Sequence, residues 1–255
     1  MKDIKLLKNI VDIYNMNVDE IKKLNIGIEL QIFPQHILDD DYSGIIKECK
    51  EKLSNINNII SIHGSSFDLN PGSTDKKVLE LTKYRYMQSI NIAKEVGAKF
   101  VVFHSQLNPL ISVDKIRKLK LNNQINFWKE FLNDISDVDI VILLENEYDD
   151  NYEELLSIIK EVNSEKLRIC LDTGHTLAYS SINLKEWVSG LSDYIEYIHL
   201  HYNDSSFDSH NEPSIKQLIE FNDILNNANI NPYICLEYGV DDLEGGINRI
   251  KKYLI

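Results

Sequence analysis

The sequence predicts a single α/β domain, a (β/α)8 barrel that spans residues 1–255. Three observations favour this fold class: the length, the alternation of short apolar runs with amphipathic stretches, and the lack of a linker. A chain of 255 residues is typical of one such barrel. Only 10 glycines and 5 prolines occur, and no glycine-, proline- or serine-rich stretch divides the sequence. We therefore expect one continuous domain.

Seven β-branched runs, each followed by a polar stretch, predict seven strands, and a weaker opening run predicts an eighth. The runs at 100–103 and 140–144 are apolar on both faces, which is typical of parallel strands that are buried on both sides. In chain order, the predicted strands cover 4–7, 26–33, 59–63, 99–104, 139–146, 167–172, 194–201 and 232–238.

The stretches between these runs have the spacing of amphipathic helices. Residues 82–96 repeat apolar side chains at helical intervals, and Gly97 marks the end of the helix. Residues 115–135 and 153–162 are amphipathic as well. A doubly wound open sheet would alternate in the same way. It is disfavoured because no glycine-rich phosphate turn follows the first strand.

Composition and charge exclude several classes of protein. The hydrophobic fraction of 43% and the charged fraction of 26% are those of a globular chain. The net charge of −13 would repel a phosphate backbone unless basic loops or bound cations offset it. No uncharged apolar stretch is long enough to cross a membrane, so no membrane partner is expected.

Two further features predict a cytoplasmic protein. Residues 1–5 lack the apolar core of a signal peptide. The three cysteines, Cys49, Cys170 and Cys235, cannot all pair, and their apolar neighbours predict buried, reduced thiols.

Ionisable residues at the ends of the predicted strands are the most informative feature. The carboxyl ends of the strands form the active-site face of a barrel. Five of the seven histidines lie at or just beyond such an end. An ionisable group that follows an apolar strand is costly to bury without a partner. The residues at these positions are His63, His104, Glu145, Asp172, His175, His199, His201 and Glu237.

Taken singly, each of these residues could be a hydrogen-bonded core histidine or a salt-bridged strand end. Taken together, they favour a shared divalent cation, because one ion satisfies imidazole nitrogens and carboxylate oxygens at once. The mixture of ligands suits Zn²⁺, Mn²⁺ or Co²⁺ better than Ca²⁺. Asp208 and His210 add a second possible pair in the loop after the seventh strand.

His199 and His201 alternate along one predicted strand, so both side chains can face the barrel interior. We expect His201 to be the metal ligand. His199 is then expected to support a ligand or to contact the substrate.

Short motifs around these residues extend over most of the chain. They are Ser-Ile-His-Gly at 61–64, Asp-Leu-Asn-Pro-Gly-Ser at 68–73, Gly-Ala-Lys-Phe-Val-Val-Phe-His-Ser at 97–105, Leu-Glu-Asn at 144–146, Cys-Leu-Asp-Thr-Gly-His at 170–175, His-Leu-His-Tyr-Asn-Asp at 199–204, Asp-Ser-His at 208–210 and Leu-Glu at 236–237. With these motifs, nearly the whole chain resembles the xylose isomerase-like TIM barrels. This superfamily includes sugar (phosphate) isomerases and epimerases and apurinic/apyrimidinic endonuclease IV.

The resemblance implies one to three divalent ions, Zn²⁺ or Mn²⁺. Endonuclease IV holds three zinc ions, and all nine of its ligand types are present here. Carried over, the first ion takes His63, His104 and Glu145, the second takes Glu145, Asp172, His201 and Glu237, and the third takes His175, Asp208 and His210. The isomerases and epimerases need only the second set, around one ion.

Other features distinguish the two reactions. Only six residues separate His201 from Asp208, where the endonuclease has a longer loop, and residues 147–152 are strongly acidic. Such a rim is unfavourable for a DNA backbone, and no loop is suited to enter a duplex. A Gly-Glu-Gly turn that is common after the Asp-x-His pair in the sugar enzymes is absent too.

We therefore expect a metal-dependent isomerase or epimerase that acts on a small sugar or sugar phosphate. The resemblance implies that Glu145 and Glu237 transfer the proton at a metal-bound enediolate, and that His175 and His199 contact the substrate. An endonuclease IV-like zinc phosphodiesterase with a multinuclear site, acting on duplex DNA, remains the alternative. A binding barrel without catalysis is disfavoured because the central ligands are intact.

Overall fold

The structure, a computed structural model, describes residues 4–205 and 207–254. Eight parallel strands pair in chain order, and the first pairs with the last to close the barrel. The prediction of a (β/α)8 TIM barrel is thus confirmed, and the open-sheet alternative is excluded. The outermost residues of the predicted domain, 1–3 and 255, lie outside the described part of the chain. The strands are β1 Lys5–Ile10, β2 Gly27–Leu30, β3 Ile60–His63, β4 Phe100–His104, β5 Val141–Glu145, β6 Leu167–Asp172, β7 Ile195–Leu200 and β8 Tyr233–Leu236.

Helices surround the barrel, and several begin at a side chain that caps the free backbone N–H groups. Helix α4 begins six residues before its predicted start because the Asp75 carboxylate accepts the Lys77 N–H at 2.8 Å. The helices are α1 Val18–Leu24, α2 Gln35–Leu38, α3 Ser43–Leu53, α4 Lys76–Val96, α5 Asp114–Asp134, α6 Glu153–Val162, α7 Thr173–Tyr179, α8 Leu184–Leu191, α9 Ile215–Ala228 and α10 Leu243–Tyr253.

The alternation of side chains along the strands creates two cores. Outward residues such as Val101 and Phe103 pack under the helices with the large, fully buried Trp128 and Trp187. Inward residues fill the barrel below the site with a smaller cluster. This cluster contains Leu7, Phe100, Val102, Leu143, Cys170, Tyr197 and Cys235. Because this cluster fills the lower half of the barrel, the barrel interior opens into a pocket at the carboxyl ends of the strands.

The three cysteines are free and buried, as predicted, and burial raises the pKa of the Cys49 thiol to about 12. Within the described residues, no helix combines the length and apolarity that crossing a bilayer requires.

Candidate functional site

The candidate site is formed by one inward side chain near the upper end of each strand. These positions lie at the last inward residue of the strand or one residue beyond it, so all eight side chains converge at the mouth of the barrel. In strand order they are Asn9, Gln31, His63, His104, Glu145, Asp172, His199 and Glu237. The predicted residues at strand ends are therefore brought together by the closure of the barrel.

The first group joins Glu145 to two histidines on the neighbouring strands. The Glu145 Oε2 atom lies 3.3 Å from His63 Nε2 and 3.5 Å from His104 Nε2. That oxygen is buried and has no hydrogen-bond partner among the described residues. A buried carboxylate oxygen that faces two ring nitrogens without a hydrogen bond is suited to share a cation with them.

The second group surrounds His199. Its Nδ1 atom lies 2.9 Å from Glu145 Oε1 and 3.0 Å from Glu237 Oε2, so both carboxylates meet at this one ring nitrogen. Asp172 Oδ2 lies 3.8 Å from the same nitrogen. These four side chains are close enough for one ion to contact a ligand atom from each of them.

The arrangement of the two histidines differs from the expectation. His199, not His201, stands with Glu145, Asp172 and Glu237. Strand register explains the difference, because His199 pairs directly with Asp172 on β6, whereas His201 follows the end of β7 and lies one layer higher. His201 instead contacts Asp172 from above, with its Nε2 2.9 Å from Oδ2.

The third group centres on Asp208 in the loop after β7. Asp208 Oδ2 lies 3.0 Å from His210 Nε2 and 3.3 Å from His175 Nε2, and Oδ1 lies 3.5 Å from His201 Nδ1. Paired backbone hydrogen bonds between Tyr202 and Asn211 fold this loop back over the barrel. The short loop therefore brings the Asp-x-His pair to the site.

His201 is held by packing as well as by hydrogen bonds. Its ring stacks on that of His210 with 4.0 Å between centroids, and it is fully buried. Gly174 makes this possible, because a Cβ atom there would lie 2.0 Å from His201 Cε1. A side chain at position 174 would therefore push the imidazole away from Asp172.

We expect Gly174→Ala to lower the free energy of unfolding by about 1–3 kcal/mol, the usual cost of overpacking a rigid core position. Urea denaturation measures the effect. Gly44→Ala is the matched control, because Gly44 is exposed in α3 and a Cβ atom there meets nothing within 4 Å. Equal stability of Gly174→Ala and the unmodified protein would show that the His201 ring is not fixed by this contact.

A fully buried network lies directly beneath His199, and the motifs did not reveal it. His199 Nε2 lies 3.1 Å from Glu29 Oε1, and Ser61 Oγ donates to Glu29 Oε2 at 3.2 Å. The Tyr197 hydroxyl lies 2.8 Å from Ser61 Oγ. The signal in the sequence is a carboxylate in the middle of an otherwise apolar strand, at an inward position.

The opposed charges shift the titration of the central groups. Burial alone would raise the pKa of Glu145, but His199 and His104 hold it well below its usual value. The same balance, led by His199, lowers the pKa of Glu237. Burial would lower the pKa of His63, yet the Glu145 carboxylate raises it to about 9. Both carboxylates are therefore ionised at neutral pH, and a bound cation would displace protons from the histidines.

Several histidines have one ring nitrogen anchored by a backbone carbonyl oxygen. His63 Nδ1 donates to Gly64 O at 3.1 Å, and His175 Nδ1 donates to Asn146 O at 2.8 Å. His210 Nδ1 donates to the Glu237 carbonyl oxygen at 2.6 Å. Such outer contacts fix the ring and its tautomer, as they do for histidines that bind metals.

A pocket of about 380 Å³ opens above these groups. Its floor includes Glu145 and Glu237, and its wall includes Glu147, whose Oε1 lies 3.0 Å from His104 Nδ1. Three partly exposed aromatic rings, Phe67, Tyr148 and Tyr179, line the mouth. This volume is suited to a small molecule.

Curated relatives match part of the chain. The chain is 29% identical over 166 residues to the probable endonuclease 4 of Aquifex aeolicus, and the aligned region covers 61% of this chain and 57% of that protein. It is 30% identical over 162 residues to an uncharacterized protein of Methanocaldococcus jannaschii, and that aligned region covers 59% of this chain and 54% of the relative. The match thus spans a little over half the length of these relatives.

Solved structures match over almost all of the chain. A Thermus thermophilus protein from crystals soaked with ZnCl2 superimposes with a TM-score of 0.78 at 19% identity, covering 99% of this chain and 98% of that one. A D-tagatose 3-epimerase-like protein gives a TM-score of 0.77 at 24% identity, and the match covers 98% of this chain and 97% of that one. The D-allulose 3-epimerase of a Methylomonas species, in complex with D-allulose, gives a TM-score of 0.71 at 14% identity, and the match covers 94% of this chain and 86% of that one. At these identities the likeness establishes a common fold.

The profile of one protein family matches residues 18–253, from α1 to the last residue of α10. This range contains every residue of the three groups. The chain therefore belongs to the xylose isomerase-like TIM barrel family.

Proposed function

We propose that the protein is a divalent-metal-dependent isomerase or epimerase that moves a proton on a small sugar. One observation carries this proposal: two ionised carboxylates, Glu145 and Glu237, meet at the Nδ1 atom of His199 and line a small pocket. Where two carboxylates reach one substrate carbon, one can remove its proton and the other can return a proton. Epimerases among the structures of the same fold are consistent with this chemistry.

The residues of the second group fit a divalent cation. Glu145, Asp172, His199 and Glu237 would hold it, because their ligand atoms lie within 4.8 Å of one another and offer the nitrogen and oxygen donors that Zn²⁺ and Mn²⁺ accept. When bound, the ion supplies Lewis-acid stabilisation of negative charge on the substrate oxygens.

The remaining chemistry belongs to the side chains of the site. Glu145 and Glu237 act at their carboxylate oxygens, and their lowered pKa values keep both ionised, so that either can accept the substrate proton as the base. The other carboxylate returns a proton to the carbon after it has taken one from solvent. Gln31 Nε2 donates to Glu237 Oε1 and orients that carboxylate. His175 lies in the pocket wall, where its ring can contact substrate hydroxyls.

Proton exchange with solvent tests the proposal. The metal-loaded protein is incubated in D2O with D-tagatose, D-allulose and D-fructose, and NMR follows the loss of each C–H signal. We expect deuterium to enter one substrate carbon as a second sugar accumulates. Absence of both deuterium uptake and a new sugar across a wide panel of ketoses, with metal content verified, would contradict the proposal.

Glu29 is expected to position His199 for the ion. Replacing it by glutamine removes the anionic partner of Nε2, so we expect the affinity for Zn²⁺ to fall by about 10- to 100-fold. Competition with a chromophoric chelator measures this affinity without any substrate. Ser61→Ala is the control, since it removes one hydrogen bond to Glu29 and keeps the carboxylate. An unchanged affinity in Glu29→Gln would exclude the positioning role.

The two outer groups favour a second candidate, an endonuclease IV-like zinc phosphodiesterase. An isomerase with one ion does not need His63 and His104 beside Glu145, or His210 beside Asp208. Metal content per chain separates the candidates, measured by mass spectrometry on protein purified without a chelator or affinity metal. Two or three zinc ions per chain, together with cleavage of duplex DNA that carries an abasic site, would support the phosphodiesterase.

A further inference from the structure

The segments that form the mouth of the barrel share an unusual composition. In sequence, none of the eight connections that lead from a strand to α1, α3, α4, α5, α6, α8, α9 or α10 contains a lysine or an arginine, although the chain has 27 of them. The same connections hold fifteen of the 40 acidic residues. These connections are 11–17, 31–42, 64–75, 105–113, 146–152, 173–183, 201–214 and 237–242.

The pocket reflects this distribution. Its described lining includes carboxylates at Glu145, Glu147, Asp208 and Glu237, and no lysine or arginine side chain. One divalent ion would leave an excess of negative charge on these walls. A phosphate group would therefore meet repulsion rather than the arginine or lysine that usually binds it.

Two cations near the barrel mouth are already engaged by the protein. Lys8 Nζ donates to the backbone oxygens of Leu236 at 3.2 Å and Tyr238 at 2.9 Å. Arg249 pairs with Glu212 and donates to the Pro213 carbonyl oxygen at 2.8 Å. Neither side chain is free to bind a substrate phosphate.

Where barrels commonly bind phosphate, one backbone amide of each helix is already capped by a side chain. That position lies after strands 7 and 8, at the start of a helix. Here the Ser214 hydroxyl caps α9 by accepting the Gln217 N–H at 3.3 Å. The Asp242 carboxylate caps α10 by accepting the Gly245 N–H at 2.9 Å. An acidic cap at this point repels a phosphate.

Exposed aromatic rings line the mouth of the pocket. Phe67 is 68% exposed in the loop after β3, and Tyr148 is 49% exposed in the loop after β5. Tyr179 packs edge-on against Tyr148 with 5.0 Å between centroids. Exposed rings that line a polar pocket can pack against the C–H face of a sugar ring while carboxylates accept its hydroxyls.

We propose that the substrate is an uncharged, unphosphorylated sugar that packs against Phe67 and the Tyr148–Tyr179 pair. This inference rests on the proposed function and narrows it to free sugars. It excludes sugar phosphates as the preferred substrates.

Binding distinguishes the two classes of sugar without relying on turnover. The Mn²⁺-loaded protein is titrated calorimetrically with D-tagatose, D-allulose, D-tagatose 6-phosphate and inorganic phosphate. We expect each free ketose to bind at least about tenfold more tightly than the phosphate ester, and inorganic phosphate to give no specific heat. Tighter binding of the ester or of inorganic phosphate, or no binding of any ketose, would overturn the inference.

The same titrations separate this inference from the proposed function. Preferred binding of the free ketose without any proton exchange would keep the inference and refute the isomerase. Proton exchange on the ester alone would keep the isomerase and refute the inference.

A pair of variants tests the aromatic contact. Phe67→Ala is expected to weaken ketose binding by about three- to tenfold. Tyr84→Ala, a change at an equally exposed aromatic on the outer face of α4, is expected to leave it unchanged. Equal binding by Phe67→Ala and the unmodified protein would refute the aromatic contact.

Discussion

Replacing Glu145 or Glu237 by glutamine is expected to abolish net conversion of the sugar. General acid–base catalysis contributes about 10²- to 10⁴-fold, and an amide can neither accept nor return the proton. Glutamine keeps the size of the side chain, so the packing around His199, which contacts both carboxylates, should change little. Initial rates of sugar interconversion, measured at saturating metal, report the effect.

Both carboxylates also belong to the proposed ligand set, so metal content must be measured in each variant. If a variant loses turnover but still binds the ion, the defect lies in proton transfer. If it loses both turnover and the ion, the defect lies in the metal site. Retained turnover in either variant would contradict the two-carboxylate mechanism.

Replacing His199 by asparagine is expected to remove the central ion, whereas the same change at His201 is expected to retain it. Outer contacts alone are worth about 10- to 100-fold in metal affinity, so loss of a direct ligand should exceed about 100-fold. His199 faces Glu145 and Glu237 directly. Of the three carboxylates in the proposed ligand set, His201 contacts only Asp172. Zinc titration monitored by chelator competition measures both variants.

The two histidines form a matched pair, because both are fully buried and they are two residues apart in the chain. General destabilisation should therefore affect both variants similarly, and urea denaturation would reveal it. The opposite result, with the central ion lost from His201→Asn and retained by His199→Asn, would restore the assignment that the motifs favoured.

Much of the fold could be predicted because parallel barrel strands have a strong signature. Runs such as 100–103 are apolar on both faces, and the alternation between runs and helices repeats along the whole chain. Closure then brings the ends of all strands to one place. The meeting of His63, His104 and Glu145 follows from their positions on adjacent strands β3, β4 and β5.

The rest depends on information that a linear pattern does not contain. Which of His199 and His201 meets the central carboxylates is decided by how β7 pairs with β6, and the shift beside Ile169 moves that pairing. The position of Asp208 depends on how the loop after β7 folds back on itself, with Tyr202 paired to Asn211. Glu29 was missed because a lone acid within a short apolar strand is usually interpreted as an exposed residue.

The absence of lysine and arginine from the eight connections that follow the strands also affects how ions reach the site. With acidic residues at the mouth and the basic residues placed elsewhere in the chain, the molecule has an uneven electrostatic potential that is negative at the pocket. Such a field guides hydrated divalent cations toward the opening and keeps anions away. Because salt shortens the reach of that field, capture of the ion becomes slower as ionic strength rises, while the ligands that retain it stay the same.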